Sequence, residues 1–174
     1  MKRLFFLLLS LSLAAGEISF LGGFMGKEDK NFKEIYGKGG NFWGIKAQWK
    51  VKAFFPYLSY ERFEREGKTL FFKEPAKTVH QYLGAGLSFK KNLKGKLWGI
   101  LGAGFVYIVY EEEALGEKIR DECPGAEAAL GFRYYLGKFF LGVYGGYIWG
   151  KDKIGREKIN FNGPKGYLEA GIIF

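Results

Sequence analysis

The chain has 174 residues, of which 27 are glycine, only four are proline and 19% are aromatic. So many aromatic side chains exclude a disordered chain, and glycine within apolar runs is typical of curved, tightly packed sheets. The single cysteine, Cys123, excludes an intrachain disulfide. The net charge is +9, and the lysines alternate with acidic residues instead of forming a basic cluster. This pattern favours contact with anionic lipid headgroups over nucleic acid.

Residues 1–16 have the pattern of a secretory signal peptide. A basic start at Met1–Arg3 is followed by the apolar stretch Leu4–Leu13 and then by small residues. A membrane-spanning helix needs roughly 20 apolar residues, whereas this shorter stretch fits the hydrophobic region of a signal peptide. The alternative is a buried N-terminal helix. We predict cleavage before Glu17, export of the protein, and one domain over residues 17–174.

Most of the remaining chain alternates between apolar and polar residues with the two-residue period of a β-strand. The clearest example is 42–51, in which every second residue, starting from Trp43, is apolar. Eight strands are predicted, at Glu17–Gly26, 42–51, 57–65, 79–90, 97–110, 126–135, 139–149 and 166–174. The links after the odd-numbered strands run about 12–15 residues, and the other links about two to six. Long and short links that alternate between an even number of antiparallel strands are typical of outer-membrane barrels.

The last strand carries a further indication. Its sequence from Tyr167 to Phe174 has a wholly apolar face and ends on an aromatic residue. This segment resembles the closing strand of bacterial outer-membrane β-barrels, in which a C-terminal Phe is part of the assembly signal. The side chains that would form this signal and face lipid are Leu168, Ala170, Ile172 and Phe174.

The whole pattern resembles the small OmpA/OmpX-like barrels and the opacity-type porins. We therefore predict an all-β fold, an eight-stranded antiparallel transmembrane up-and-down β-barrel in the outer membrane of a Gram-negative cell. The resemblance implies a structural, adhesive or surface-interaction role through four external loops, without enzymatic activity or a cofactor. The expected partners are outer-membrane lipid and lipopolysaccharide, the barrel assembly machinery and an extracellular ligand of the loops.

The second face of the strands is polar and partly ionic. An eight-stranded barrel is just wide enough to be filled by its own side chains, and ions inside it need partners. We predict an interior polar network, and therefore no open pore, formed by Lys46, Gln48, Lys50, Glu61, His80, Tyr82, Glu127, Arg133, Tyr135 and Glu169.

Two other functions are compatible with parts of the sequence. A lipid A-modifying hydrolase would use His80, but Tyr82 occupies the position where the serine of such enzymes is expected, and Ser59 could reach His80 only in one strand register. A soluble periplasmic lipocalin-like barrel would explain the segment Gly40–Trp43. The acidic residues of 111–122 do not have the spacing of a calcium loop, so we expect them to be a solvated loop without a metal.

Overall fold

The computed structural model describes residues 16–51, 53–69, 72–154 and 157–174. Most of these residues lie in β-strands, and one short helix follows the first strand. The elements are β1 (Glu17–Gly26), α1 (Lys30–Tyr36), β2 (Gly39–Gln48), β3 (Phe54–Lys68), β4 (Pro75–Lys94), β5 (Leu97–Ala114), β6 (Glu117–Leu136), β7 (Phe139–Ile154), β8 (Glu157–Asn160) and β9 (Gly163–Ile173). The predicted signal peptide lies almost wholly outside the described residues.

Eight of the strands, β1 to β7 and β9, close into an antiparallel barrel. Each strand pairs with the next one along the ring, and β1 pairs with β9 through partners such as Ile18 with Ile172. The short strand β8 pairs with the end of β7. Because a closed ring leaves no unpaired edge strand, the backbone polar groups of the barrel are satisfied without water. The predicted fold class is confirmed, and the pairing of β1 with β9 closes the ring.

The two faces of the strands have opposite polarity. On β9, Leu168 is 66% exposed on the outside, whereas the adjacent Glu169 is 2% exposed and points inward. Exposed apolar side chains occur all around the barrel: Phe20, Trp43, Leu101, Phe105, Leu130, Phe132, Leu141 and Leu168. A water-soluble protein does not expose a continuous apolar surface of this kind. It is the surface of a barrel that lies in lipid, as the sequence predicts.

Some strands are longer than the alternation of apolar and polar residues predicts, because backbone pairing with the next strand continues beyond it. The predicted loop 111–125 is an extension of the β5–β6 hairpin, in which Glu111 pairs with Arg120 and Glu113 with Lys118. A two-residue turn closes this hairpin at Leu115 and Gly116, both of which have positive φ angles. The hairpin therefore projects from the barrel as a continuous sheet.

The predicted loop between β1 and β2 contains α1. The Asp29 side chain caps this helix by accepting a hydrogen bond from the Phe32 amide at 3.0 Å. The helix ends at Gly37, whose φ angle of 85° suits glycine. Among the described residues, there is no helix with the length and apolar character needed to cross a membrane.

Lys50 does not lie where the sequence pattern predicts. The strand β2 ends at Gln48, and Lys50 is exposed in the link to β3. The amide of Trp49 donates to the carbonyl oxygen of Pro56 at 3.0 Å, and Val51 forms a bridge with Phe54. The chain has therefore begun to turn back before Lys50, so the assignment of Lys50 to the barrel interior is wrong.

Candidate functional site: the barrel interior and its mouth

The buried polar side chains form three tiers along the barrel. We call them the seam tier (Glu17, Gln48, Lys90, Arg133, Glu169), the middle tier (Lys46, Tyr57, Glu61, Glu127, Lys165) and the mouth tier (Lys27, Thr78, His80, Tyr82). The seam tier lies toward the short turns, and the mouth tier lies toward the long links. Eight of the ten predicted interior residues are distributed over all three tiers. The half-buried Tyr135 lies beside the seam tier, where its hydroxyl accepts a hydrogen bond from Arg133 at 3.3 Å.

Arg133 is the centre of the seam tier and is completely buried. Its guanidinium donates to Glu17 at 2.6 Å and to Glu169 at 2.8 Å. The other acceptors of Arg133 are Gln48 at 3.1 Å, Tyr144 at 3.1 Å and Tyr135 at 3.3 Å. All five N–H groups of the guanidinium therefore have an acceptor. Since Glu17 lies on β1 and Glu169 on β9, Arg133 on β6 joins the two strands that close the ring.

Two further contacts complete the seam tier. Lys90 forms a second ion pair with Glu17, and the Ser19 hydroxyl donates to Glu169 at 2.7 Å. The tier therefore holds Arg133 and Lys90 against two carboxylates. Ions that are withdrawn from water are tolerated in this way, since each one has a counter-charge and hydrogen bonds.

The middle tier is built around Lys165. Its ammonium donates to both carboxylate oxygens of Glu61, at 2.8 and 3.1 Å, and to Glu127 at 2.7 Å. The Tyr57 hydroxyl donates to the other oxygen of Glu127 at 2.9 Å. Lys46 lies with its ammonium 4.2 Å from the centre of the Tyr57 ring, a favourable cation–π contact. This tier also has two cations and two carboxylates.

Little space remains between these side chains. A cavity bounded by middle-tier residues measures about 10 Å³, which is no more than the room for one water molecule. Large and small inward residues alternate around the ring: a Cβ atom on Gly131 would lie 2.3 Å from the Tyr144 ring. The described middle of the barrel is therefore filled by side chains.

The mouth tier is a chain of polar contacts surrounded by aromatic rings. The Thr78 hydroxyl lies 3.0 Å from His80 Nε2, and His80 Nδ1 lies 3.1 Å from the Tyr82 hydroxyl. The ammonium of Lys27, from the link after β1, donates to the same Tyr82 hydroxyl. Among the described residues, no carboxylate lies within ion-pair distance of Lys27. Burial lowers the pKa of Lys27 to about 7.

The strand register separates His80 from the serines that a hydrolase would need. His80 pairs with Phe63, whereas Ser59 pairs with Gly84. Four residues along a strand correspond to roughly 13 Å, so Ser59 is not in the register that would bring it to His80. Ser88 accepts a hydrogen bond from Gln48 of the seam tier at 2.9 Å. The described residues therefore provide no Ser–His pair.

The acidic residues of the β5–β6 hairpin are used in other contacts. Glu111 pairs with Lys118 at 2.7 Å, and Glu112 accepts a hydrogen bond from the Tyr36 hydroxyl at 2.7 Å. Neighbouring residues of a strand point to opposite faces, so Glu111, Glu112 and Glu113 do not converge. No group of side chains suited to a metal ion occurs in the described part of the chain.

Four charged residues of the interior were missing from the predicted network: Glu17, Lys27, Lys90 and Lys165. Three of them share strand parity with an inward residue, as Lys165 does with Tyr167 and Glu169. The parity pattern could have identified them, but Lys165 had been assigned to a loop. Lys27 gave no such signal, because it follows β1 rather than lying in it.

No protein-family model matches the sequence, and no curated protein matches it. Solved structures are similar in fold. Neisserial surface protein A has 15% identity and a TM-score of 0.65, with 92% of this chain and 98% of that chain covered. The N-terminal β-barrel domain of Pseudomonas aeruginosa OprF has 13% identity and a TM-score of 0.59, with 92% and 98% covered.

A third similar structure is Ail, the attachment invasion locus protein of Yersinia pestis, in complex with the heparin analogue sucrose octasulfate. It has 11% identity and a TM-score of 0.56, with 91% of this chain and 98% of that chain covered. At these identities, the similarity concerns the fold alone. The chain has the fold of the small eight-stranded outer-membrane barrels, and the predicted resemblance to this group is confirmed.

Proposed function

We propose that the protein is an integral outer-membrane barrel that conducts no solute and presents a rigid surface-interaction structure outside the cell. The observation that carries this proposal is the filled interior combined with strands that continue beyond the apolar belt. The β5–β6 hairpin reaches Leu115 and Ile119, both about half exposed, and Phe72 is exposed in the link between β3 and β4. Exposed apolar residues at hairpin tips are typical of interaction sites.

The similar structures are compatible with such a role. One is a neisserial surface protein and another is an attachment invasion locus protein. The external hairpins of this chain carry both signs of charge, with Glu111 beside Lys118 on the β5–β6 hairpin. Apolar contact at the tips therefore explains attachment better than recognition of a highly charged polymer.

An attachment assay tests this role. A Gram-negative host that displays the protein is compared with one that displays the double variant Leu115→Ser/Ile119→Ser, on hydrophobic polystyrene and on hydrophilic glass. We expect the variant to lose most of the added attachment to polystyrene at equal surface abundance. The matched control is Leu130→Ser, which removes an exposed apolar side chain from the belt outside the last strand. Equal attachment by the variant and the wild type would contradict the proposal.

The filled interior is tested by electrical recording. The purified barrel, reconstituted in a planar bilayer, should give no stepwise conductance, because the middle tier leaves space for about one water molecule. Regular conductance steps that persist at neutral pH would contradict the closed barrel.

His80→Ala should leave lipid A acylation of the host unchanged, and a changed acylation pattern would favour the hydrolase alternative.

Export and assembly follow from the predicted terminal segments. The signal peptide directs export, and N-terminal sequencing of the mature protein should begin at Glu17. The apolar face formed by Leu168, Ala170, Ile172 and Phe174 serves as the signal for the barrel assembly machinery. Deletion of Phe174 should lower the amount of folded, heat-modifiable protein in the outer membrane while secretion into the periplasm continues. Normal assembly of this variant would refute the assembly role.

The two ends of the barrel differ in their contact with lipid headgroups. The short-turn end carries exposed lysines that border the apolar belt: Lys50, Lys91, Lys94, Lys96 and Lys138. Ammonium groups at this level attract anionic headgroups. Replacing Lys91, Lys94 and Lys96 together by Gln should reduce the preference of the refolding barrel for anionic over zwitterionic vesicles. Replacing Lys33 and Lys118, which lie at the opposite end, should reduce that preference less.

A further inference from the structure

A separate cavity lies at the mouth of the barrel, between α1 and the mouth tier. Its volume is about 260 Å³, which is slightly below the usual range of about 300–1,000 Å³ for sites that bind small molecules. The residues that matter for its chemistry are Lys27, Phe32, Tyr36, Thr78, His80 and Phe161. The cavity is distinct from the exposed hairpin tips to which we assign surface attachment.

The walls of the cavity are aromatic. Phe32 and Tyr36 of α1 have ring centres 5.0 Å apart, and Tyr110 and Phe161 on the opposite side have ring centres 4.7 Å apart. Rings at these separations contact one another and leave their remaining faces or edges toward the space between. Such walls suit a flat apolar group of one or two rings.

The polar groups of α1 are held in place by other parts of the protein. Asp29 accepts hydrogen bonds from the Phe32 amide at 3.0 Å and from the Asn160 amide at 3.2 Å. Glu112 accepts one from the Tyr36 hydroxyl at 2.7 Å. These contacts attach the helix to β5 and to the end of β8, so the cavity is built into the folded structure. The two carboxylates that line the cavity, Asp29 and Glu112, therefore already accept hydrogen bonds from the protein.

Lys27 is the cation of this cavity, and its ammonium is buried. It lies 5.1 Å from the ring centres of Phe63 and Tyr82 and 5.8 Å from that of Phe161. An ammonium has three hydrogen-bond donors, and the Tyr82 hydroxyl accepts from one of them. Within the described chain, Arg133, Lys90 and Lys165 each have a carboxylate partner, and Lys27 has none within 4 Å.

The charge balance indicates which anion would fit. One ammonium matches a single negative charge, and the nearby carboxylates of Asp29 and Glu112 disfavour a phosphate or sulfate with a larger charge. The aromatic walls supply the contact for an apolar body. We infer that the mouth cavity binds a small aromatic monocarboxylate, with the carboxylate on Lys27 and the ring between α1 and Phe161.

Binding to the full-length barrel in lipid nanodiscs tests this inference, with naphthoate as the probe and the uncharged naphthamide as its matched control. Isothermal titration against empty nanodiscs corrects for partition into lipid. We expect naphthoate to bind at least about tenfold more tightly than naphthamide, the usual effect of a charge-assisted hydrogen bond. Lys27→Met should abolish this difference, whereas Lys33→Met, on the exposed side of α1, should preserve it.

A second measurement uses the unaltered chain, so it does not depend on the folding of a variant. Naphthoate should raise the melting temperature of the unaltered barrel, measured by heat-dependent gel mobility, more than naphthamide does at the same concentration. Equal binding of naphthoate and naphthamide, or an absence of binding at millimolar probe, would overturn the inference. Neither result would affect the attachment proposal, which concerns the hairpin tips.

Discussion

Lys165 in the middle tier and Lys27 in the mouth tier are the same side chain in two different surroundings. Both are almost completely buried. Lys165 contacts the carboxylates of Glu61 and Glu127, whereas Lys27 contacts a phenol and three aromatic rings. A buried ion without a counter-charge lowers stability. The middle of the barrel is therefore arranged for a stable, closed structure, and the mouth keeps a charge that stability alone does not require.

The largest effect should come from the seam tier. Arg133→Met leaves Glu17 and Glu169 buried with fewer partners, and removing one member of a buried ion pair costs about 3–5 kcal/mol. Urea unfolding in lipid vesicles should show a loss of this order. The control is Arg62→Met, which removes a partly exposed pair with Glu64 and should cost no more than about 1 kcal/mol. Equal losses would show that burial of the network is unimportant.

A smaller loss is expected when one carboxylate is removed and its partner keeps another. Glu127→Ala leaves Lys165 with Glu61, and Glu169→Ala leaves Arg133 with Glu17. Each variant should lose roughly 2 kcal/mol, the cost of an unmade hydrogen bond to a charged group, and should melt at a lower temperature in heat-dependent gel mobility. Glu113→Ala, on the exposed hairpin, serves as the control. An unchanged melting temperature for either buried variant would contradict its inward position.

An effect of the opposite sign is expected at Lys27. Its pKa of about 7 lies below the ordinary value of 10.5, so between these values the unfolded chain binds more protons and stability rises with pH. Lys27→Met should therefore be more stable than the wild type at about pH 6, and the difference should shrink toward about pH 10. The neighbouring titratable residues His80, Tyr82 and Cys123 are present in both the wild type and Lys27→Met, so the comparison isolates Lys27. A pH-independent difference in urea unfolding would disagree with the unpaired ammonium.

The fold and the inward faces could be predicted because alternation is a local property. In β7 and β9, each residue's face follows from its neighbours, so Leu168 and Glu169 were assigned to opposite sides from the sequence. The strand ends could not be predicted in this way. Lys50 lies outside the barrel because β2 ends at Gln48, and Lys165 lies inside because β9 begins at Gly163. Tertiary contacts determine where the pairing of adjacent strands stops.

The mouth cavity was beyond prediction for a related reason. Lys27 and Tyr82 are 55 residues apart in the chain, and they meet only because of the register of four strands and the position of α1. The segment Lys30–Tyr36 is too short for its hydrophobic pattern to distinguish a helix from a loop. The local signs of α1 are a helix-start residue, Asp29, and a helix-stop residue, Gly37.

The position of Arg133 has a consequence for how the barrel can move. Its two carboxylate partners lie on β1 and β9, the strands that meet where the ring closes. A gap between these strands would expose their backbone groups to lipid and would separate at least one carboxylate from the guanidinium. Sideways opening of the barrel wall therefore carries two penalties at once. This barrel should not release or admit molecules laterally into the bilayer through its first and last strands.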